Sequence, residues 1–199
     1  MRRYLVLMMV LLSLLDHANS AQSQGKQAAA GSTTDGSRYH SDYFDFTYSL
    51  PDGFVEGTEQ YRSLIRALPG AHPDPDTFVL LSAGKRSNEG ADPVDAITVT
   101  VDALSRYPKG ITEKDYIHRT TKSMAFKGDA LLQEGEQADV SGWSFFRADY
   151  KMNGHPNSGY LTVMLTFRKD FALSWQFFAL SKEEVDSIAG SMQRMLITK

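Results

Sequence analysis

The chain has 199 residues, 42% hydrophobic and 23% charged, with a formal net charge of -3. That balance suits one globular domain and does not predict a basic face for nucleic acid. It contains no cysteine, which excludes disulfides, thiolate metal sites, a cysteine nucleophile and cysteine-linked lipidation.

The first residues read as a targeting signal. "MRRY" is a short positive start, "LVLMMVLLSLL" (residues 5–15) an apolar core, and "DHANS" a polar tail with Ala18 and Ser20 at the small-residue positions. A bilayer span takes about 20 apolar residues, so this run predicts a secretory signal peptide over 1–20, with Ala21 as the mature start. Residues 21–38, "AQSQGKQAAAGSTTDGSR", carry no large apolar side chain. They cannot offset the entropy of ordering and predict a disordered tether, with a single folded domain over 39–199.

In "YFDFTYSLPDGF", Phe44, Phe46 and Tyr48 alternate with polar residues, the period of a strand. "LPDG" then supplies a turn. Tyr61, Leu64, Ile65 and Leu68 fall on one helical face, stopped by Pro69-Gly70. A Pro-rich loop follows over 69–76. "TFVLLSA" and "DAITVTVDAL" read as strands joined by an exposed loop. "GITEKDYIHRTTKSMAF" predicts a helix with Thr112 as N-cap and Asp115 at the third helical position. A strand over about 131–140, a Ser141-Gly142 turn and the strand "WSFFRADYKM" come next. "YLTVMLTF" and "FALSWQFFAL" flank a tight "RKD" connection and predict a hairpin. The last segment, "SKEEVDSIAGSMQRMLI", opens on a capping box. Its Val185, Ile188, Ala189, Met192, Met195 and Leu196 predict one apolar helix face.

In "FALSWQFFAL", Phe171, Leu173, Trp175 and Phe177 form one face, and Phe178 and Leu180 lie on the other. Two-sided burial requires layers on both sides, and short hairpins require antiparallel pairing. The predicted fold is α+β: an antiparallel sheet of about six or seven strands sandwiched by three helices.

The order of "FDFTYSLPDGF", "SGWSFFRADY", a late aromatic hairpin and the terminal "SKEEVDSIAGSMQRM" segment resembles the PsbP-like group over roughly 43–197. That group includes an extrinsic photosystem II subunit, a Ran-binding nuclear protein, bacterial envelope proteins and secretion-effector chaperones. The resemblance implies an α/β/α fold used for binding proteins, without a shared catalytic apparatus. The region 57–94 is particular to this chain.

Reactive side chains form no recognised constellation. His40, His72, His118 and His155 lack metal-helix spacing. His118 reads as a surface partner of Asp115, three residues before it. "HPDPD" (72–76) has too few oxygen ligands for a calcium loop and reads as a solvated turn. No serine sits in G-x-S-x-G, and "SAGKRSNEG" lacks phosphate-loop spacing. No catalytic residue, metal ligand or cofactor is assigned.

The candidate binding residues are Trp143, Arg147 and Asp149. Strand alternation puts them on one face with Phe145 and Lys151. Arg147 and Asp149 lie two residues apart, about 7 Å along a strand, so each is expected to pair across strands rather than with the other. They are read either as structural sheet charges or as the polar end of an aromatic groove that takes a peptide or small anion. The expected function is an exported, non-enzymatic binding or assembly module of the cell envelope, periplasmic or extracellular. It would have a protein partner, no nucleic acid, and no stable membrane insertion after cleavage. The alternative from another class is an envelope small-ligand carrier or hydrolase.

Overall fold

The computed structural model describes residues 32–67, 77–85, 95–125, 129–153 and 158–197. The signal segment, Leu68, the Pro-rich loop with its "HPDPD" turn and His72, and His155 lie outside them. Among the described residues, eleven strands form two antiparallel sheets. The small sheet comprises β1 (Ser32–Asp35), β2 (Arg38–Ser41), β3 (Phe46–Ser49) and β11 (Met195–Ile197), in the order β1-β2-β3-β11. The large sheet comprises β4 (Phe54–Glu56), β5 (Thr77–Lys85), β6 (Ala96–Ala103), β7 (Ala130–Val140), β8 (Trp143–Met152), β9 (Gly159–Arg168) and β10 (Phe171–Ala179). Its order is β4-β5-β6-β10-β9-β8-β7. The helices are α1 (Thr58–Ala67), α2 (Glu113–Ala125) and α3 (Lys182–Gly190). The fold is thus the expected α+β arrangement around a seven-stranded antiparallel sheet.

Alternation along β10 divides the interior. Phe171, Leu173, Trp175 and Phe177 enter one core with Phe46, Tyr48 and Phe145, closed by Ile188 and Met192. Ala172 and Phe178 enter a second core on the opposite face, beneath Tyr116 and Ile117 of α2. Leu180, expected to share that second face, lies just past β10 and is exposed. α1 packs along β5, where Thr58 accepts the Ser82 backbone N–H at 3.0 Å.

Three expectations are corrected. The tether does not run to residue 38, because Ser32–Asp35 pairs with Arg38–Ser41 and the Tyr39 hydroxyl donates to Ser32 at 2.8 Å. An exposed edge strand is held by its backbone ladder and needs no apolar residue of its own. The small sheet is an added layer, so α3 shares its face of the large sheet with four strands. The terminal helix is also shorter than its periodicity predicts. It stops at Gly190, a poor helix former, passes through a 3-10 turn (Ser191–Arg194) and becomes β11, paired with β3. On that strand Met195 points into the core while Leu196 is 65% exposed.

Two backbone features set the geometry of β7 and β8. Ser141 and Gly142 both adopt positive φ, 51° and 84°, a tight hairpin that sets the register of β7 against β8. Gly135 (φ 62°) lies at a bulge in edge strand β7, where a Cβ would fall 2.1 Å from the Phe146 ring. Bulges re-aim neighbouring side chains, and the one beside Glu134 lies where β7 meets α2.

Candidate functional site

Strand β8 is regular against β9 from Phe146 to Met152. Trp143 and Phe145 therefore enter the first core, and Ala148, Tyr150 and Met152 the second. Trp143 is a core residue, edge-on to Phe46 at 6.0 Å, and the Arg168 guanidinium lies 4.3 Å over its ring. Arg147 and Asp149 share a face, as alternation requires, but they bind each other. Arg147 Nε and Nη2 donate to the two Asp149 carboxylate oxygens, each at 3.0 Å. The fork of a long arginine folds along its own strand and spans the two-residue step. The network then extends across elements. Arg147 Nη2 donates to Asp186 of α3 at 2.6 Å, the Thr162 hydroxyl of β9 donates to Asp149 at 2.7 Å, and Lys182 donates to Asp186 and lies 3.7 Å from Asp149.

Two cations and two carboxylates balance in this cluster. Asp149 is 3% exposed, so its charge depends on those partners. Burial alone would push the Arg147 guanidinium down, but donation to Asp149 and Asp186 outweighs it and raises the group above its ordinary value. Partial burial pushes the Asp186 carboxyl up, and donation from Lys182 and Arg147 reverses this, holding it below the usual range. The arrangement ties the first turn of α3 to the middle of β8 and β9.

A second cluster was not anticipated from the sequence. After β6 the chain makes a 3-10 turn (Leu104–Arg106), then the turn Pro108-Lys109-Gly110, closed by the Ile111 N–H on the Pro108 carbonyl at 3.1 Å. α2 starts as expected: Thr112 Oγ1 accepts the Asp115 N–H at 3.2 Å, and the Asp115 carboxylate accepts the Thr112 N–H at 3.1 Å. Those bonds, with Arg119 and His118 nearby, lower the Asp115 carboxyl.

Asp102, buried on β6, anchors both segments. It accepts the hydroxyls of Tyr116 and Thr77 and lies 3.4 Å from the Tyr107 hydroxyl and 3.9 Å from Arg106. Burial and the Asp102 charge raise both tyrosines. Thr121 adds a 2.9 Å hydrogen bond to the Tyr150 hydroxyl.

Between the 108–111 turn and the outer face of α2 lies an open cleft of about 610 Å³, with Lys109, Lys114, His118, Arg119 and Lys122 on its lining beside one carboxylate, Asp115. The four lysine and arginine side chains are exposed. Among the described residues none of them has an ion-pair partner. His118 pairs not with Asp115 but with Glu134 of β7, Nδ1 to Oε1 at 2.6 Å. The sequence does carry a signal for this surface: Lys114, His118 and Lys122 recur every four residues, one stripe of a helix.

A smaller cleft of about 400 Å³ lies between the β4 lead-in and the end of α3. There Arg194 faces Asp52 at 3.8 Å. Among the described residues, no three His, Asp or Glu side chains gather as a metal site, and no helix is long and apolar enough to cross a membrane.

No family model and no curated protein matches the chain. Solved structures similar to it include cyanobacterial PsbP (CyanoP) from Synechocystis sp. PCC 6803, at 14% identity and TM-score 0.48, covering 80% of this chain and 91% of that one. LpqN of Mycobacterium tuberculosis, involved in cell envelope biogenesis, aligns at 13% identity and TM-score 0.44, covering 77% and 83%. The Ran-binding protein Mog1p of Saccharomyces cerevisiae aligns at 13% identity and TM-score 0.42, covering 81% and 85%.

Proposed function

We propose that the chain is an exported, non-enzymatic binding module of the cell envelope, and that it engages a protein partner through the α2 cleft. The observation that carries this reading is the grouping of four exposed cations, with no ion-pair partner among the described residues, around a single carboxylate, Asp115, on one cleft of a chain whose net charge is -3. Like charges held together repel one another, and the local positive potential they create attracts and orients an anionic partner. Export is supported by the order of charged, apolar and small-residue segments over 2–20. Trp143, Arg147 and Asp149 take a structural part, since Trp143 is buried and the charges of the other two are balanced by Asp186 and Lys182. A second reading, a small-anion carrier, is favoured by His118, whose ring is oriented by Glu134 at the cleft wall.

Photo-cross-linking in intact envelopes tests the proposal. A photoreactive residue at Lys122 should trap one defined protein adduct. The same residue at Val55, exposed on β4, should not. Identical adducts from both positions, or none from Lys122, would contradict it.

A further inference from the structure

Resting on the reading that the α2 cleft is the working surface, we propose that its occupant is an extended acidic segment of a partner protein. The segment would carry two carboxylates four residues apart. Helix and strand geometry fix that spacing. Lys114 and Lys122 are eight residues apart on one helix, about 12 Å along the axis at 1.5 Å per residue and about 80° apart around it at 3.6 residues per turn. An extended chain advances about 3.3 Å per residue and returns to the same side every second residue. Carboxylates at i and i+4 of an extended segment therefore share a side and lie about 13 Å apart, close to the axial separation of the two lysines, whose long side chains span the angular offset. Spacings of three or five put the second carboxylate on the opposite side, away from the helix.

One carboxylate already meets this stripe from within the protein. Glu134, itself on extended strand β7, places its carboxylate on His118, midway between the two lysines. That contact fills the central position, so the incoming segment is uncharged at i+2. Lys109 and Arg119, on the same lining, add attraction without fixing the spacing.

A membrane surface fits less well. Interfacial helices set large apolar side chains beside their cations. The exposed large apolar residues among those described are Val55, Leu132, Leu180 and Leu196, none of them on α2.

The test uses fluorescent eight-residue peptides of identical composition, Thr-rich with two Glu at spacing four or spacing three, and the purified protein. The spacing-four peptide is expected to bind at least about threefold tighter, with affinity falling as salt rises. Lys114→Ala/Lys122→Ala should cost it roughly tenfold and erase the spacing preference. Lys114→Arg/Lys122→Arg should retain it. Unchanged denaturation midpoints would show that the variants are folded, because both side chains are exposed.

Equal binding of the two peptides overturns the proposal. So does displacement of the peptide by inorganic pyrophosphate at equal concentration, which would make the site a small-anion carrier. Binding of anionic phosphatidylglycerol vesicles that requires the same lysines would make it a membrane contact. Self-association abolished by the alanine pair would make the occupant a second copy. A Lys122 cross-link to a partner together with equal peptide binding would sink the spacing rule and leave the binding reading standing. Loss of both would sink the two together.

Discussion

Replacing Arg147 with methionine isolates the part played by the β8–α3 charge cluster. The substitution keeps an unbranched stem and removes three charge-assisted hydrogen bonds, two to Asp149 and one to Asp186. The Asp186 contact is solvent-screened and contributes little, about 0–1 kcal/mol. Asp149 decides the outcome, because breaking a buried pair costs about 3–5 kcal/mol when the remaining charge is uncompensated. Compensation here is partial: the Thr162 hydroxyl stays at 2.7 Å and Lys182 at 3.7 Å. Arg147 itself is 28% exposed. The expected loss is therefore about 2–3 kcal/mol, below the full penalty.

Urea denaturation followed by Trp fluorescence reads this loss directly. In a domain of this size it corresponds to a fall in melting temperature of roughly 5–10 °C. Adding Asp149→Leu should recover part of the loss, since the stranded carboxylate is then gone. A change under about 0.5 kcal/mol for Arg147→Met, or further destabilisation by the second substitution, would show that Asp149 does not depend on Arg147.

Met195→Ala should cost roughly 2–5 kcal/mol and Leu196→Ala almost nothing, since strand pairing buries the first and exposes the second; similar losses in denaturation would restore a helical ending. The Asp186 carboxyl is held low in the folded state, so its stabilisation is present above the unfolded value, about pH 3.9, and is lost as pH falls through the lower folded value. Asp186→Asn should accordingly lie below the parent in stability at neutral pH and converge with it in acid, as measured by denaturation across pH. Gly135→Ala should destabilise the fold and loosen β7, because the added carbon meets the Phe146 ring in a left-handed backbone; unchanged amide exchange along β7 would contradict this. N-terminal sequencing of protein from the envelope fraction should begin at Ala21, and an intact Met1 on cytoplasmic protein would contradict export.

The large sheet was legible because its signals are local. Alternation in "FALSWQFFAL" displays both cores, and Thr112 and Ser181 mark their helix starts through side-chain hydrogen bonds found as expected. The small sheet was not legible, because β1 has no apolar pattern and β11 borrows residues whose spacing also fits a helix. Met195 falls on an apolar stripe at either period, and only its pairing with Tyr48 distinguishes the two. At Arg147 and Asp149 the two-residue backbone step does not keep the charges apart, because the long arginine side chain spans it. The α2 cations form no run in the linear sequence, because Glu113 and Asp115 interleave with them and nearly balance the local charge. Winding the helix brings Lys114 and Lys122 onto one cleft, where the Asp115 carboxylate is engaged by the Thr112 cap.

Backbone amide shift mapping of the labelled protein, titrated with the spacing-four acidic peptide, locates the binding surface residue by residue. Binding at the α2 cleft predicts shifts confined to residues 108–122 and Glu134, with Arg147, Asp149, Lys182 and Asp186 unmoved. Shifts centred on Trp143 and Arg147, with α2 silent, would contradict it and return the function to the site first suggested by the sequence.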